Sequence, residues 1–172
     1  MLTVLIDYDS GNLHSAHKAF ERMARETDAG DVLVSGKSED VARADRIVLP
    51  GDGAFPACMT ALESSGVYGA LIEAVTERAR PFLGICVGMQ LMARAGHEYQ
   101  STQGLGWIDG DVHRIQAPGL KIPHMGWNDL VIDAPHPVLD GLNTGDHAYF
   151  VHSYQMQMAN AEQRLALSLI HI

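Results

Sequence analysis

Four short apolar runs, each followed by turn residues and then a helical pattern, constrain this chain more than any other feature. They are TVLIDY at 3–8, DVLVS at 31–35, RIVLPG at 46–51 and PFLGI at 81–85. Runs rich in β-branched residues, with no polar alternation, mark strands buried on both faces. Between them, residues 13–25 place Leu13, Ala16, Phe20 and Met23 on one helical face. Residues 38–44 predict a short helix opened by Ser38, with Val41 where a capping box has its acid. Residues 55–79 hold one or two helices broken near Ser65-Gly66, and 87–95 predict a helix after the fourth strand. This alternation implies a mostly parallel sheet covered on both faces. After Gly96 the pattern changes: 104–115, 126–132, 147–156 and 164–168 read as strands, so the second half is β-rich, with no clear domain boundary.

Length and charge narrow the function. The chain's 172 residues are about one domain's worth, and 47 % hydrophobic content allows a sizeable core. Twelve basic against 21 acidic residues leave a net charge of −9, which argues against nucleic-acid or anionic-membrane binding. The start, MLTVLIDYD, lacks the basic region of a signal peptide, and no apolar stretch approaches membrane-spanning length. Two cysteines, Cys58 and Cys86, make no disulfide framework or metal-knuckle spacing. A reducing, cytoplasmic setting is expected.

Cys86 lies between the fourth strand and the helix after it, at the sheet edge where open parallel sheets bind ligands. Gly84 and Gly88 stand two places before and after it, the pattern of a nucleophile elbow with cysteine in the serine position. Small residues there let strand and helix pass closely, the helix N-terminus favours a thiolate, and the Val87 amide would face a developing oxyanion. The competing reading is a small buried residue under a tight turn, common for a lone cysteine. Cys58 lacks this setting and reads as core. A second loop, LPGDGAF at 49–55, also follows a strand, and its Gly51 and Gly53 could aim an amide at the same oxyanion.

GICVGMQ at 84–90 and LPGDGAF at 49–55 resemble the nucleophile motif and oxyanion loop of class I glutamine amidotransferases. DYDSGNLHSAHKAF at 7–20, PHMGWN at 123–128 and YFVHSY at 149–154 are similar to the glutaminase subunits of imidazole glycerol phosphate synthase, over about residues 2–166. The resemblance implies a three-layer, flavodoxin-like α/β fold with a mostly parallel central sheet, lacking its C-terminal elements. It implies that L-glutamine is hydrolysed through a thioester on Cys86, with ammonia passed to a partner cyclase, a (β/α)8 barrel. No cofactor or metal is implied. By motif match, Gly53 and Val87 supply oxyanion amides. Gly51, Gln90, Ser153 and Tyr154 shape the glutamine pocket, and Asn12, His124, Met125, Trp127 and Asn128 face the cyclase. Read without the resemblance, Gln90 is a solvated helix residue, Trp127 core, and His152 a hydrogen-bonded strand histidine; only for His152 is that plainer reading adopted. Two departures stand out: Asp9 occupies a usual glycine position, and Asp52 a usually apolar one.

The family's base is a histidine in a late His-Pro-x-Glu motif, oriented by the glutamate. This sequence has none: His136-Pro137 is followed by Val138-Leu139, and His171 has no acid after it. The expectation is an amidotransferase domain at 1–166 that stops short of its triad histidine and glutamate, inactive as given. LSLIHI at 167–172 then reads as a non-native tail, similar to a translated library-adapter frame. Two other readings are a non-catalytic cyclase-binding subunit and an amidotransferase-fold hydrolase of another pathway.

Overall fold

The computed structural model describes residues 1–168. Its centre is a four-stranded, all-parallel sheet in the order β2-β1-β3-β4, from β1 (Leu2–Ile6), β2 (Asp31–Ser35), β3 (Arg46–Gly51) and β4 (Phe82–Cys86). Side-chain alternation sends Val4, Ile6, Ile47 and Leu49 into one core, where they meet Phe55, Met59, Leu62 and Leu71 from α3 (Phe55–Ser64) and α4 (Tyr68–Ile72). Gly66 falls between these two helices, as the break in the pattern requires. Cys58, on α3, is buried in the same core.

The other face carries α1 (Leu13–Thr27), whose apolar stripe is only partly covered. None of its residues is fully buried, and Phe20 and Met23 line an open groove with Val48 and Leu83. One helix is too narrow to seal four strands, so Leu83 stays 43 % exposed. Ser38 is the first residue of α2 (Ser38–Arg43), not its cap; Lys37 takes that place without a side-chain bond. The Ser38 hydroxyl therefore has no capping role, and Asp40, held below its ordinary value chiefly by the Ser35 hydroxyl and then by Arg43, anchors the turn instead.

The expected helix over 87–95 is mostly absent. α5 spans only Val87–Gln90, and the chain then enters β5 (Ala93–Glu98). With β6 (Gln100–Gln103), β7 (Ile108–Arg114) and β10 (Tyr154–Met158), it forms a second sheet in the order β10-β7-β5-β6. Backbone pairing explains the outcome: Ala95 and Gly96 pair with Asp111 and Val112 of β7, and Gly96 lies against the Phe55 ring, where a side chain would not fit. The run expected at 147–156 is two strands, β9 (His147–His152) and β10, broken at Ser153 as the chain leaves one sheet for another. β9 joins β8 (His124–Ile132) and β11 (Ala166–Ser168) in a third sheet. Leu167 and Ser168 thus pair with β8, whereas the rest of the LSLIHI segment lies outside the described residues. Among the described residues no helix is long and apolar enough to cross a membrane.

Candidate active site

The carboxyl ends of β3 and β4 lie side by side, and the pairing sets Gly51 directly opposite Cys86. Cys86 has φ 56° and ψ −118°, a region glycine enters freely and other residues do not. Such a conformation costs ~1–3 kcal/mol and persists where surrounding structure enforces it, typically at functional sites. Here the surroundings are close-packed glycines. A Cβ on Gly84 would come within 2.5 Å of Met89 Cα, one on Gly51 within 2.5 Å of the Gly88 nitrogen, and one on Gly88 would run into the Leu49 carbonyl. The elbow therefore lifts Cys86 into solvent while Cys58 stays buried, and both thiols are free. Residues Val87 and Gly88 follow Cys86 as the first turn of α5, so their N–H groups are among those a helix cannot satisfy internally.

The loop after β3 is braced from the first turn of the chain. The Ser10 hydroxyl accepts the Asp52 N–H at 3.0 Å and lies 3.0 Å from the Asp52 carbonyl and 3.3 Å from Cys58 Sγ. Asp9, the departure from glycine, sits at φ 63°. That left-handed conformation is why glycine suits the position, and aspartate is among the few side chains that tolerate it. Beneath the loop, the Tyr8 hydroxyl is buried without a hydrogen bond of good geometry, and burial pushes it well above the ordinary phenol value. Gly53 then turns at φ 115° into open space beside Cys86.

A cleft of about 440 Å³ opens over the elbow. It brings together Cys86, Val87, Gly53, Gln90, Ser153 and Tyr154, with Gly51 packed beneath. Gln90 is buried in the cleft, not on a solvated helix face. Burial raises Tyr154 above its ordinary value, and the Glu98 carboxylate adds to the effect. His152 also lines the cleft. Its Nδ1–H donates to the Tyr154 carbonyl at 3.0 Å, and its Nε2 is 3.3 Å from His124 Nδ1. It is the hydrogen-bonded strand histidine that the sequence suggests, oriented by a main-chain carbonyl and not by a carboxylate.

Three polar cleft residues carried no signal in the sequence: Glu98, Tyr99 and Arg114. Glu98 ends β5, Tyr99 follows it directly, and Arg114 ends β7, so the pairing of β5 with β7 brings them to the cleft. Glu98 also accepts the Phe55 N–H at 2.8 Å, tying the cleft wall to the start of α3.

The segments expected at a partner surface separate by strand alternation. Met125 and Trp127 point outward from β8, opposite Val151 and Tyr149 of β9. Trp127 is 68 % exposed, so it is not core, and its ring meets Tyr149 edge-on at 5.5 Å. His124 and Asn128 face inward, half-buried, and the Asn128 side chain donates to Ser168 Oγ at 2.9 Å. Asn12 caps α1, its side chain accepting the Ser15 N–H at 3.2 Å. Val151 belongs both to the outward row and to the cleft lining.

A glycine-enforced cysteine elbow beneath a glycine loop is one arrangement of a cysteine-dependent acyl-transfer site, and the comparisons decide the family. The family model described as "Glutamine amidotransferase class-I" matches residues 4–171. The chain belongs to the class I glutamine amidotransferases. Among this family's curated members it is 69 % identical over 169 residues to the "Imidazole glycerol phosphate synthase subunit HisH" of Cereibacter sphaeroides, covering 96 % of this chain and 80 % of that one. It is 64 % identical, over the same shares, to the protein of that name from Ruegeria pomeroyi, and 51 % identical over 173 residues to that from Rhizobium meliloti. Among solved amidotransferases, a crystal structure titled as a glutamine amidotransferase superposes with a TM-score of 0.70 at 19 % identity, covering 95 % of this chain and 78 % of that one. Another, from Thermotoga maritima, gives 0.66 at 15 % identity, covering 99 % and 68 %. These two establish the amidotransferase fold, and the HisH relatives place the chain among the HisH subunits.

Proposed function

We propose that this chain is the glutaminase subunit of an imidazole glycerol phosphate synthase, acting in L-histidine biosynthesis. The observation that carries the reading is the strained Cys86 at the floor of the cleft, paired in register with Gly51 of the oxyanion loop. Cys86 thiolate attacks the side-chain amide carbon of L-glutamine. The carbonyl electrons move to oxygen, which the Val87 and Gly53 amides receive. Collapse breaks the C–N bond, ammonia leaves with an added proton, and water then hydrolyses the thioester to glutamate. A free amino acid also presents an ammonium and a carboxylate, and Glu98 and Arg114 in the cleft offer the complementary charges, with Gln90, Ser153 and Tyr154 filling the remainder. The 172 residues contain no His-Pro-x-Glu, so the general base and its orienting acid are not among these groups. Free thiols, one of them exposed, suit a reducing cytoplasm.

A chloroketone or diazoketone analogue of glutamine tests the assignment. It should alkylate Cys86, located by peptide mass, and leave Cys58 unmodified, because only Cys86 combines exposure with the elbow. Modification at Cys58 instead would overturn it.

The partner in this reading is the (β/α)8 cyclase, docked on the outward row of β8 and β9. Exposed Met125, Trp127, Tyr149 and Val151 form one contiguous apolar strip, the composition of an interface anchor. Trp127→Ala should weaken the one-to-one complex by about 2 kcal/mol, or about 30-fold in Kd by titration calorimetry. An unchanged Kd in a folded variant would remove Trp127 from the interface.

A further inference from the structure

We infer that the outer face of the second sheet carries a binding site for a first-row divalent transition ion, with His97, Asp111 and His113 as its ligands. Among the described residues, these three each bring a ligand atom within 4.8 Å of the other two. Strand pairing produces the cluster. Ala95 of β5 pairs with Asp111 of β7 and Gly96 with Val112, so the next pair is His97 beside His113, with Asp111 two residues before His113 on the same face. The two imidazole rings stack at 4.5 Å between centroids with 24° between their planes. His97 Nε2 is 3.6 Å from Asp111 Oδ2. Two ligands on one tetrahedral ion, each at about 2.0–2.1 Å, stand about 3.4 Å apart, so the His97–Asp111 pair is nearly in place and the other pairs must close from at most 4.8 Å.

The outer groups suit a cation as well. Arg94 Nε donates to Asp111 Oδ1 at 3.3 Å, which fixes the carboxylate and leaves Oδ2 toward His97, the task of an outer-shell partner in metal sites. The same guanidinium reaches Asp109 at 3.1 Å, so one positive charge faces two carboxylates and the corner is net anionic before an ion binds. Two imidazoles and a carboxylate select zinc, nickel or copper over magnesium or calcium, which prefer all-oxygen shells. The ligands are partly exposed, so an ion can enter and a water can complete its shell. The location gives binding a consequence. Glu98 follows His97 and Arg114 follows His113, and both line the Cys86 cleft on the opposite side. An ion here would staple β5 to β7 directly behind the cleft wall.

The test is calorimetric titration of the untagged, chelator-treated chain with zinc sulfate, in millimolar magnesium to occupy non-selective carboxylates. One zinc per chain should bind. Asp111→Asn and His113→Gln should each weaken it by at least the roughly 10–100-fold that loss of an outer-shell partner alone costs. Cys86→Ser should bind zinc as the parent does, which separates this site from the thiol. Zinc should also raise the thermal midpoint of the parent and not of His113→Gln, because an ion that binds only the folded state stabilises it. Circular dichroism verifies that each variant is folded, and His97→Gln replaces any that is not. Absence of heat at micromolar zinc, binding equally tight in the ligand variants, or binding lost with Cys86→Ser would each overturn the site.

Discussion

Glutamate release should rise by roughly 10²–10⁴-fold when the 172-residue chain is compared with a version that also carries a His-Pro-x-Glu segment, both with the cyclase and its ligand present. In the proposed reaction, attack by Cys86 is only the first step. The departing ammonia needs a proton, and thioester hydrolysis needs a base to activate water, so the missing pair would be absent from two steps. The cleft holds a histidine, but His152 gives its Nδ1–H to a main-chain carbonyl and sets its Nε2 against His124. Oxyanion stabilisation alone leaves trace turnover. Equal rates from the two proteins would sink the prediction, and His152→Gln would then be the variant to measure.

Gly88→Ala should cost on the order of 3 kcal/mol in urea unfolding, the upper end for forcing an atom into packed structure. Its Cβ would meet the Leu49 carbonyl, a backbone atom of the central strand that cannot swing aside. The damage reaches the chemistry, because Leu49 and Cys86 lie on neighbouring strands joined through the Leu49–Gly84 and Gly51–Cys86 pairs. Alkylation of Cys86 by the glutamine analogue should slow on the order of 10²-fold, as expected when a reacting atom shifts by about 1 Å. Gly69→Ala in α4, where a Cβ meets nothing within 4 Å, should leave labelling unchanged and be neutral or slightly stabilising. Similar effects from both substitutions would show that the elbow is not held by close packing.

The parallel half of the fold was legible because buried strands leave a strong local trace. RIVLPG matches β3 residue for residue, and the break at Ser65-Gly66 falls between α3 and α4. The Cys86 elbow was legible for the same reason: its glycines are demanded by contacts within a few residues and with the adjacent strand. The stretch after Gln90 was not. The helix expected over 87–95 stops at Gln90, because ARAGHE of β5 has little intrinsic preference of its own and pairing with β7 decides its conformation. Glu98, Tyr99 and Arg114 were lost with it, since only that pairing brings them to the cleft. The facing of β8 was only half legible. PHMGWN marks the segment, but which residues face outward depends on the register with β9, and that register turns His124 and Asn128 inward.

β9 is one strand with two audiences. Tyr149 and Val151 look out beside Trp127 and Met125, Val151 also borders the cleft, and His152, Ser153 and Tyr154, where the chain passes from β9 to β10, line the pocket wall. With both surfaces used as proposed, the two should not be tunable separately. Under the proposed function, a substitution in β9 that alters the fit to the cyclase also alters the lining that meets glutamine, and selection on either surface screens mutations in both. Drift should thus be slower in this strand than in β6 or α1, which border only one such surface or none, and two lineages that exchanged partners would carry their compensating changes on either side of Ser153.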